Sequence, residues 1–120
     1  MQDLTLPPTV VATHLRSCAE ELAAGLRCGG PGATTAELTD VVAHLIASQE
    51  AISHALAGLA ARVEGGGAHA LAAAPPLDVE VVAEVFREAA IAARCTAEAL
   101  GEVTPSFECV SESVAPDTRL

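Results

Sequence analysis

Between residues 35 and 64 the apolar positions recur with the period of a helix packed along one seam. Leu38, Leu45, Ile52 and Leu59 stand seven apart, and Val42, Gln49, Leu56 and Val63 repeat the seven with an offset of four. Four such heptads predict one continuous helix of about 45 Å at ~1.5 Å rise per residue. Val41 and Ile46 widen the stripe beyond a narrow two-helix seam, the pattern of a helix with more than one neighbour. Thr34 or Thr35 supplies an N-cap, Glu37 lies near the positive helix end, and Gly65-Gly66-Gly67 stops the helix. Gln49 is the one polar residue on the seam. It reads either as an amide tolerated at a wet edge or as an element that fixes register or partner choice.

A second pattern of helical period begins at Asp78, a good N-cap, with Val82, Phe86, Ala89, Ala93, Thr96, Leu100 and Val103 on one face. Val81, Val85, Ala92, Cys95 and Ala99 form a weaker stripe beside it. The first segment follows Pro7-Pro8, with Thr9 as a cap and Val11, Leu15, Cys18, Leu22 and Leu26 as its stripe. Cys28-Gly29-Gly30-Pro31-Gly32 and Gly65-Gly66-Gly67 break the chain between these segments, and a short fourth helix fits over 68–74 before Pro75 ends it. From Thr104 onward, Pro105, Pro116 and spaced acids read as an extended acidic tail. The expected fold is therefore all-α: a three-helix bundle, or a four-helix one if 68–74 contributes, with a long central amphipathic helix. One bundle domain over 1–103 (helices about 9–27, 35–64 and 78–103) is followed by the tail at 104–120.

Composition narrows the functional classes. The 120 residues carry 6 basic and 16 acidic side chains, net charge −10, which argues against a phosphate-backbone binder and so against nucleic acid as a partner. Apolar residues make up 51% of the chain, too many for disorder, and aromatics only 2%, so the core is built from Leu, Val, Ile and Ala. The longest stretch without a charged residue, between Glu64 and Asp78, holds glycines and prolines and is too short for a membrane span. Met1 to Pro8 has no basic region followed by an apolar run, so no signal peptide is expected and the cytoplasm is the expected location. Cys18, Cys28, Cys95 and Cys109 are widely spaced, with no C-x-x-C pair, and read as reduced thiols.

Candidate chemistry is sparse. His14 and Cys18 stand four apart on the first helix and, with Cys95, make the best available set for zinc or copper; against that, Cys18 falls on the apolar stripe, where a thiol behaves as a small hydrophobe. No metal or other cofactor is expected. His44 and His54 fall at solvent-facing heptad positions, and His69 sits in the linker. No nucleophile, base and oxyanion donor stand in a recognisable arrangement, so no catalytic residue is assigned and the chain is not expected to be an enzyme. The glycine runs lack phosphate-binding spacing. The ending Thr118-Arg119-Leu120 matches the T-x-Φ pattern that PDZ domains take by strand addition.

Leu4-Thr5-Leu6-Pro7-Pro8, then a helix bearing Leu15, Ala19 and Leu22, then a second Ala/Leu-rich amphipathic helix, resembles the small helical-hairpin proteins associated with actinobacterial type VII secretion. The resemblance covers about half the chain. It lacks a W-x-G in the turn and a tyrosine for the export motif. It implies a helical hairpin that pairs with itself or a partner and leaves the cell without a cleaved signal.

The residues themselves point first to a non-enzymatic interaction or assembly protein that pairs with a copy of itself or with another helical protein. The expected interface is Leu38, Val42, Leu45, Gln49, Ile52, Leu56, Leu59 and Val63, with Val81 and Val85 from the third helix. More apolar stripe is present than the short first helix can cover. A bundle that binds a small molecule or metal is the alternative.

Overall fold

The computed structural model describes residues 5–28, 32–66 and 71–120. Three α-helices account for most of them: α1 (Pro8–Arg27), α2 (Thr35–Gly66) and α3 (Pro76–Ser113), with no sheet among the described residues. Where one bundle over 1–103 is expected, the chain divides into two compact units, Met1–Gly32 with Arg119 and Ala33–Thr118 with Leu120. The Gly29-Gly30-Pro31-Gly32 run lies at that division.

In the first unit, α1 starts with Pro7 as N-cap and Pro8 in the first turn, rather than at Thr9. Proline suits that place because its fixed φ is already helical and its missing N–H would have had no partner there. The helix buries no residue: Val11, Leu15 and Leu26 are exposed and Leu22 is half-buried. Its fixed contacts are local, from Arg16 Nε to Glu20 Oε1 at 2.9 Å and from the Thr13 hydroxyl to the Thr9 carbonyl at 2.8 Å.

The second unit is an antiparallel hairpin of α2 and α3. A reciprocal cap starts α2: Thr34 Oγ1 accepts from the Glu37 N–H at 3.2 Å, and Glu37 Oε2 accepts from the Thr34 N–H at 2.9 Å. Thr35, the other candidate cap, is buried instead and accepts a hydrogen bond from the Ser111 hydroxyl at 3.0 Å. Replacing Thr34 by Ala is expected to lower the stability of the hairpin by about 1 kcal/mol. Thermal melting followed by circular dichroism checks this, and an unchanged midpoint would show the cap to be dispensable.

The register of the hairpin is set by one buried hydrogen bond, from Ser53 Oγ to the Ala90 carbonyl at 2.7 Å. The buried residues, and half-buried ones in register with them, trace two a/d stripes, with Leu38, Val41, Leu45 and Ile52 of α2 and Arg87 and Ala89 of α3 half-buried on the flanks. On α2 the stripe is Thr35, Thr39, Val42, Ile46, Gln49, Ser53, Leu56, Ala60 and Val63. On α3 they are Val79, Ala83, Phe86, Ala90, Ala93, Ala97, Leu100, Thr104, Phe107 and Ser111, alternating four and three without a break. The fully packed positions hold only small residues: Ala60, Ala83, Ala90, Ala93 and Ala97, with Thr35 and Ser53. Small side chains let two backbones approach toward the short end of the usual ~8 to 10 Å spacing, which is what a serine-to-carbonyl bond between helices requires.

Three expectations are corrected here. The α3 seam is not the Val82/Ala89/Thr96/Val103 face; it shares Phe86, Ala93 and Leu100 with that reading but is rotated toward Ala83, Ala90 and Ala97. The extended tail expected from Thr104 is helical as far as Ser113, Pro105 included, and only Val114 onward is non-helical. Proline in a helix meets the carbonyl four residues back, which here belongs to Gly101, and beyond it Phe107 and Ser111 hold the last turns on the seam. Finally, α3 begins at Pro76 with Asp78 inside its first turn rather than capping it, and Leu71–Ala74 form a turn closed by the Ala74 N–H on the Leu71 carbonyl at 3.0 Å. Part of the proposed 68–74 helix, with His69, lies outside the described residues.

After α3 the chain turns at Ala115–Thr118, and Leu120 exchanges two backbone hydrogen bonds with Ala33, at 2.9 and 3.2 Å.

Candidate functional site

With a and d on the seam, every remaining residue of the hairpin has a defined side. In an antiparallel pair the e positions of the two helices lie together along one edge and the g positions along the other. The e edge is polar. Glu50 and Glu64 on α2 lie there with Glu80, Arg87, Arg94 and Glu108 on α3, and Asp40, Glu84, Glu98 and Glu112 stand at the neighbouring b positions. Arg87 bridges the helices to Glu64 and reaches Glu84 on its own helix at 3.1 Å. Hydrogen bonds from Glu64 and then Glu84 hold the Arg87 guanidinium above its ordinary pKa. These groups are well exposed, so the network contributes little to stability.

Along this edge runs a shallow open groove between Glu50, Ser53 and His54 of α2 and Arg94, Glu98 and Gly101 of α3. Ser53 is the one hydroxyl in it, and its proton is given to the Ala90 carbonyl. The groove is a set of solvated charges over a helix seam.

The g edge is the opposite. From Leu38 to Leu59 the g and c positions of α2 read Leu38, Val41, Leu45, Ser48, Ile52, Ala55 and Leu59. From Val82 to Val110 those of α3 read Val82, Val85, Ala89, Ala92, Thr96, Ala99, Val103, Ser106 and Val110. No charged residue interrupts either run; Arg62 and Asp78 stand just beyond them at the linker end. The hairpin covers this side only in part: Leu38, Val41, Leu45, Ile52 and Ala89 are half-buried, and Leu59, Val82, Val85, Val103 and Val110 are between 43% and 60% exposed.

The expected interface residues separate accordingly. Val42, Gln49, Leu56 and Val63 lie on the seam inside the hairpin. Leu38, Leu45, Ile52, Leu59 and Val85 line the charge-free side, and Val81 sits at an f position away from it. Val82, Val103 and Val110 belong to this side and were not in the expected set. Their signal was available in the sequence, because once alanine is allowed as the seam residue every acid and arginine of α3 after Asp78 falls at e, b or f.

The other candidates are exposed side chains. His14 and Cys18 are exposed on α1 in the first unit and Cys95 is exposed on α3 in the second, so Cys18 is not a core residue. Among the described residues no group of three or more His, Cys, Asp or Glu side chains is arranged to hold a metal ion. His44 and His54 are exposed. The T-x-Φ ending has its Leu120 N–H engaged with Ala33, the kind of backbone group that strand addition would need. Among the described residues no helix is long and apolar enough to cross a membrane. Comparison with known proteins finds no matching family model, no matching curated protein and no matching solved structure.

Proposed function

We propose that this chain is a non-enzymatic helical assembly protein, and that the charge-free side of the α2–α3 hairpin is where it packs against a copy of itself or another helical protein. The observation that carries this reading is the segregation of side chains: from Leu38 to Leu59 and from Val82 to Val110 the g and c positions carry no charge and are mainly Leu, Ile, Val and Ala, with Leu59 and the valines of α3 exposed, while the charged residues of those spans stand at e, b and f. A lone hairpin in water gains nothing from such a surface, whereas a protein that buries it on assembly gains roughly 25 cal/mol per Å² removed from water. The reading includes a cytoplasmic setting, in which the four exposed thiols stay reduced.

The test compares two double variants. Leu45→Asp with Ile52→Asp places carboxylates on the charge-free side; Ala43→Asp with Ala57→Asp places them at exposed e positions on the polar edge. Burying two unpaired carboxylates is expected to weaken association more than about a hundredfold, while the polar-edge variant keeps the native mass. Light scattering after size exclusion reads the mass and circular dichroism verifies that both remain helical. A still-helical Leu45→Asp/Ile52→Asp protein with unchanged mass in an assembling wild type would overturn the reading.

A further inference from the structure

We infer that the occupant of the charge-free side is a second copy of this chain, two hairpins packing face to face about a two-fold axis parallel to their helices. The inference rests on the reading above that this side is a docking surface, and it goes further by naming the partner and the arrangement.

Shape is the first argument. On this side α2 presents a ridge of large residues, with Leu45, Ile52 and Leu59 spaced by seven, and α3 presents a strip of small ones, with Ala89, Ala92 and Thr96 at its middle. Within one hairpin the ridge and the strip lie side by side, so each covers the other only in part: Leu45, Ile52 and Ala89 are half-buried while Leu59, Val82, Val85 and Val103 stay exposed. A two-fold axis parallel to the helices carries the ridge of each copy over the strip of the other. That is the self-complementarity an isologous interface needs: ridge on strip, and strip under ridge. A two-fold axis across the helices would instead set ridge on ridge and strip on strip.

Area is the second argument. From Leu38 to Leu59 this side runs for about 30 Å along α2 at ~1.5 Å rise per residue, and a specific interface needs about 800 Å² per partner. The hairpin also needs the burial, since its own buried positions hold nothing larger than threonine. Charge is the third. A chain of net charge −10 repels its own copies, yet in this arrangement the charged edges of both hairpins point outward. The four helices then form an antiparallel bundle in which every neighbour runs the opposite way.

A two-fold axis parallel to the helices does not shift heights, so the register follows from the Ser53–Ala90 and Ser111–Thr35 bonds: Ile52 of one copy lies level with Ala92 of the other, and Leu45 with Ala99.

The experiment uses the full chain with Cys18, Cys28, Cys95 and Cys109, all exposed, replaced by Ser. Light scattering is expected to give a species of twice the 12.1 kDa chain mass. One preparation then carries Ile52→Cys and another Ala92→Cys; the two are mixed, left to exchange subunits and oxidised. A covalent dimer from the mixture joining 52 to 92, absent from either preparation alone, supports the arrangement. A covalent dimer from Ile52→Cys alone overturns it in favour of ridge-on-ridge packing. A monomer at every concentration overturns the second copy as occupant. The dye 8-anilinonaphthalene-1-sulfonate then separates two failures. A monomer that binds the dye, and loses that binding on Leu45→Asp, leaves the surface open for a different helical protein. A monomer that binds no dye, and whose melting Leu45→Asp does not change, overturns the docking surface as well.

Discussion

Replacing Ala83 by Leu is expected to lower the stability of the α2–α3 hairpin by about 1 to 3 kcal/mol, a large share of what a unit of this size has. Ala83 is fully excluded from solvent, and the Ser53–Ala90 and Ser111–Thr35 bonds place it against α2 between Ala60, itself 2% exposed, and Val63. Three further methylene-sized groups have no space to enter there. The isobutyl group must either take a strained rotamer or push the helices apart. Separation would stretch the Ser53–Ala90 hydrogen bond seven residues along, leaving a buried hydroxyl and carbonyl without partners. Ala47→Leu serves as the comparison, since Ala47 lies exposed at a b position and leucine propensity in a helix is close to that of alanine. Chemical denaturation of both variants decides the matter. Equal midpoints would mean that the helices are not held at alanine distance.

That seam is also where reading the sequence reached its limit. The three helices were legible because their apolar residues repeat at helical period and their breaks are marked by glycine and proline. Four of the eight α2 positions expected on the seam, Val42, Gln49, Leu56 and Val63, are there. Of the other four, Leu38, Leu45 and Ile52 are half-buried on the flank of the seam and Leu59 is exposed. Hydrophobicity favours these four, whereas the fully packed places beside Ile52 and Leu59 go to the small residues Ser53 and Ala60. A scale that ranks residues by transfer free energy cannot see that a small residue is preferred where backbones must approach. The same substitution of size for hydrophobicity rotated the expected face of α3 from Val82 and Val103 to Ala83 and Ala97.

Large apolar residues excluded from a tight seam take its flank, and Leu45 and Ile52, expected at the interface, are half-buried there on the charge-free side. Val110 is missing from the expected interface because an extended tail has no helical face to share with Val103, whereas α3 runs to Ser113. Nor could sequence show that Thr35 and Ser111, seventy-six residues apart, would be joined by a hydrogen bond that holds the far end of α3. Proline dominated the local reading there, and a contact made at long range overruled it.

Pro105 yields the second large effect: Pro105→Ala is expected to stabilise the hairpin by about 1 to 3 kcal/mol. The helix is continuous across it, so the residue sits where proline both lacks the N–H that would donate to the Gly101 carbonyl and brings its ring against that carbonyl. Thr104 is constrained too, because the residue before a proline disfavours the helical region, yet it is helical here and half-buried on the seam. Alanine restores the donor and removes both constraints. The glycine four residues back makes the prediction sharper. A methyl group on Gly101 meets nothing within 4 Å, as is also true of Gly58 at an exposed position in α2. Space alone therefore predicts the same gain, about 1 kcal/mol, for Gly58→Ala and Gly101→Ala. If Gly101 is what lets the helix yield around the proline ring, Gly101→Ala gains less than Gly58→Ala while Pro105 is present, and regains the difference once Pro105 is Ala. Denaturation midpoints for the four members of that double-mutant cycle, with Gly58→Ala alongside, give the coupling directly. Additive Gly101 and Pro105 effects would show that the carbonyl of residue 101 is not where the strain is relieved. A Pro105→Ala variant no more stable than wild type would show instead that the proline is accommodated without strain, its lost donor compensated by the packing of Phe107 and Ser111 beyond it.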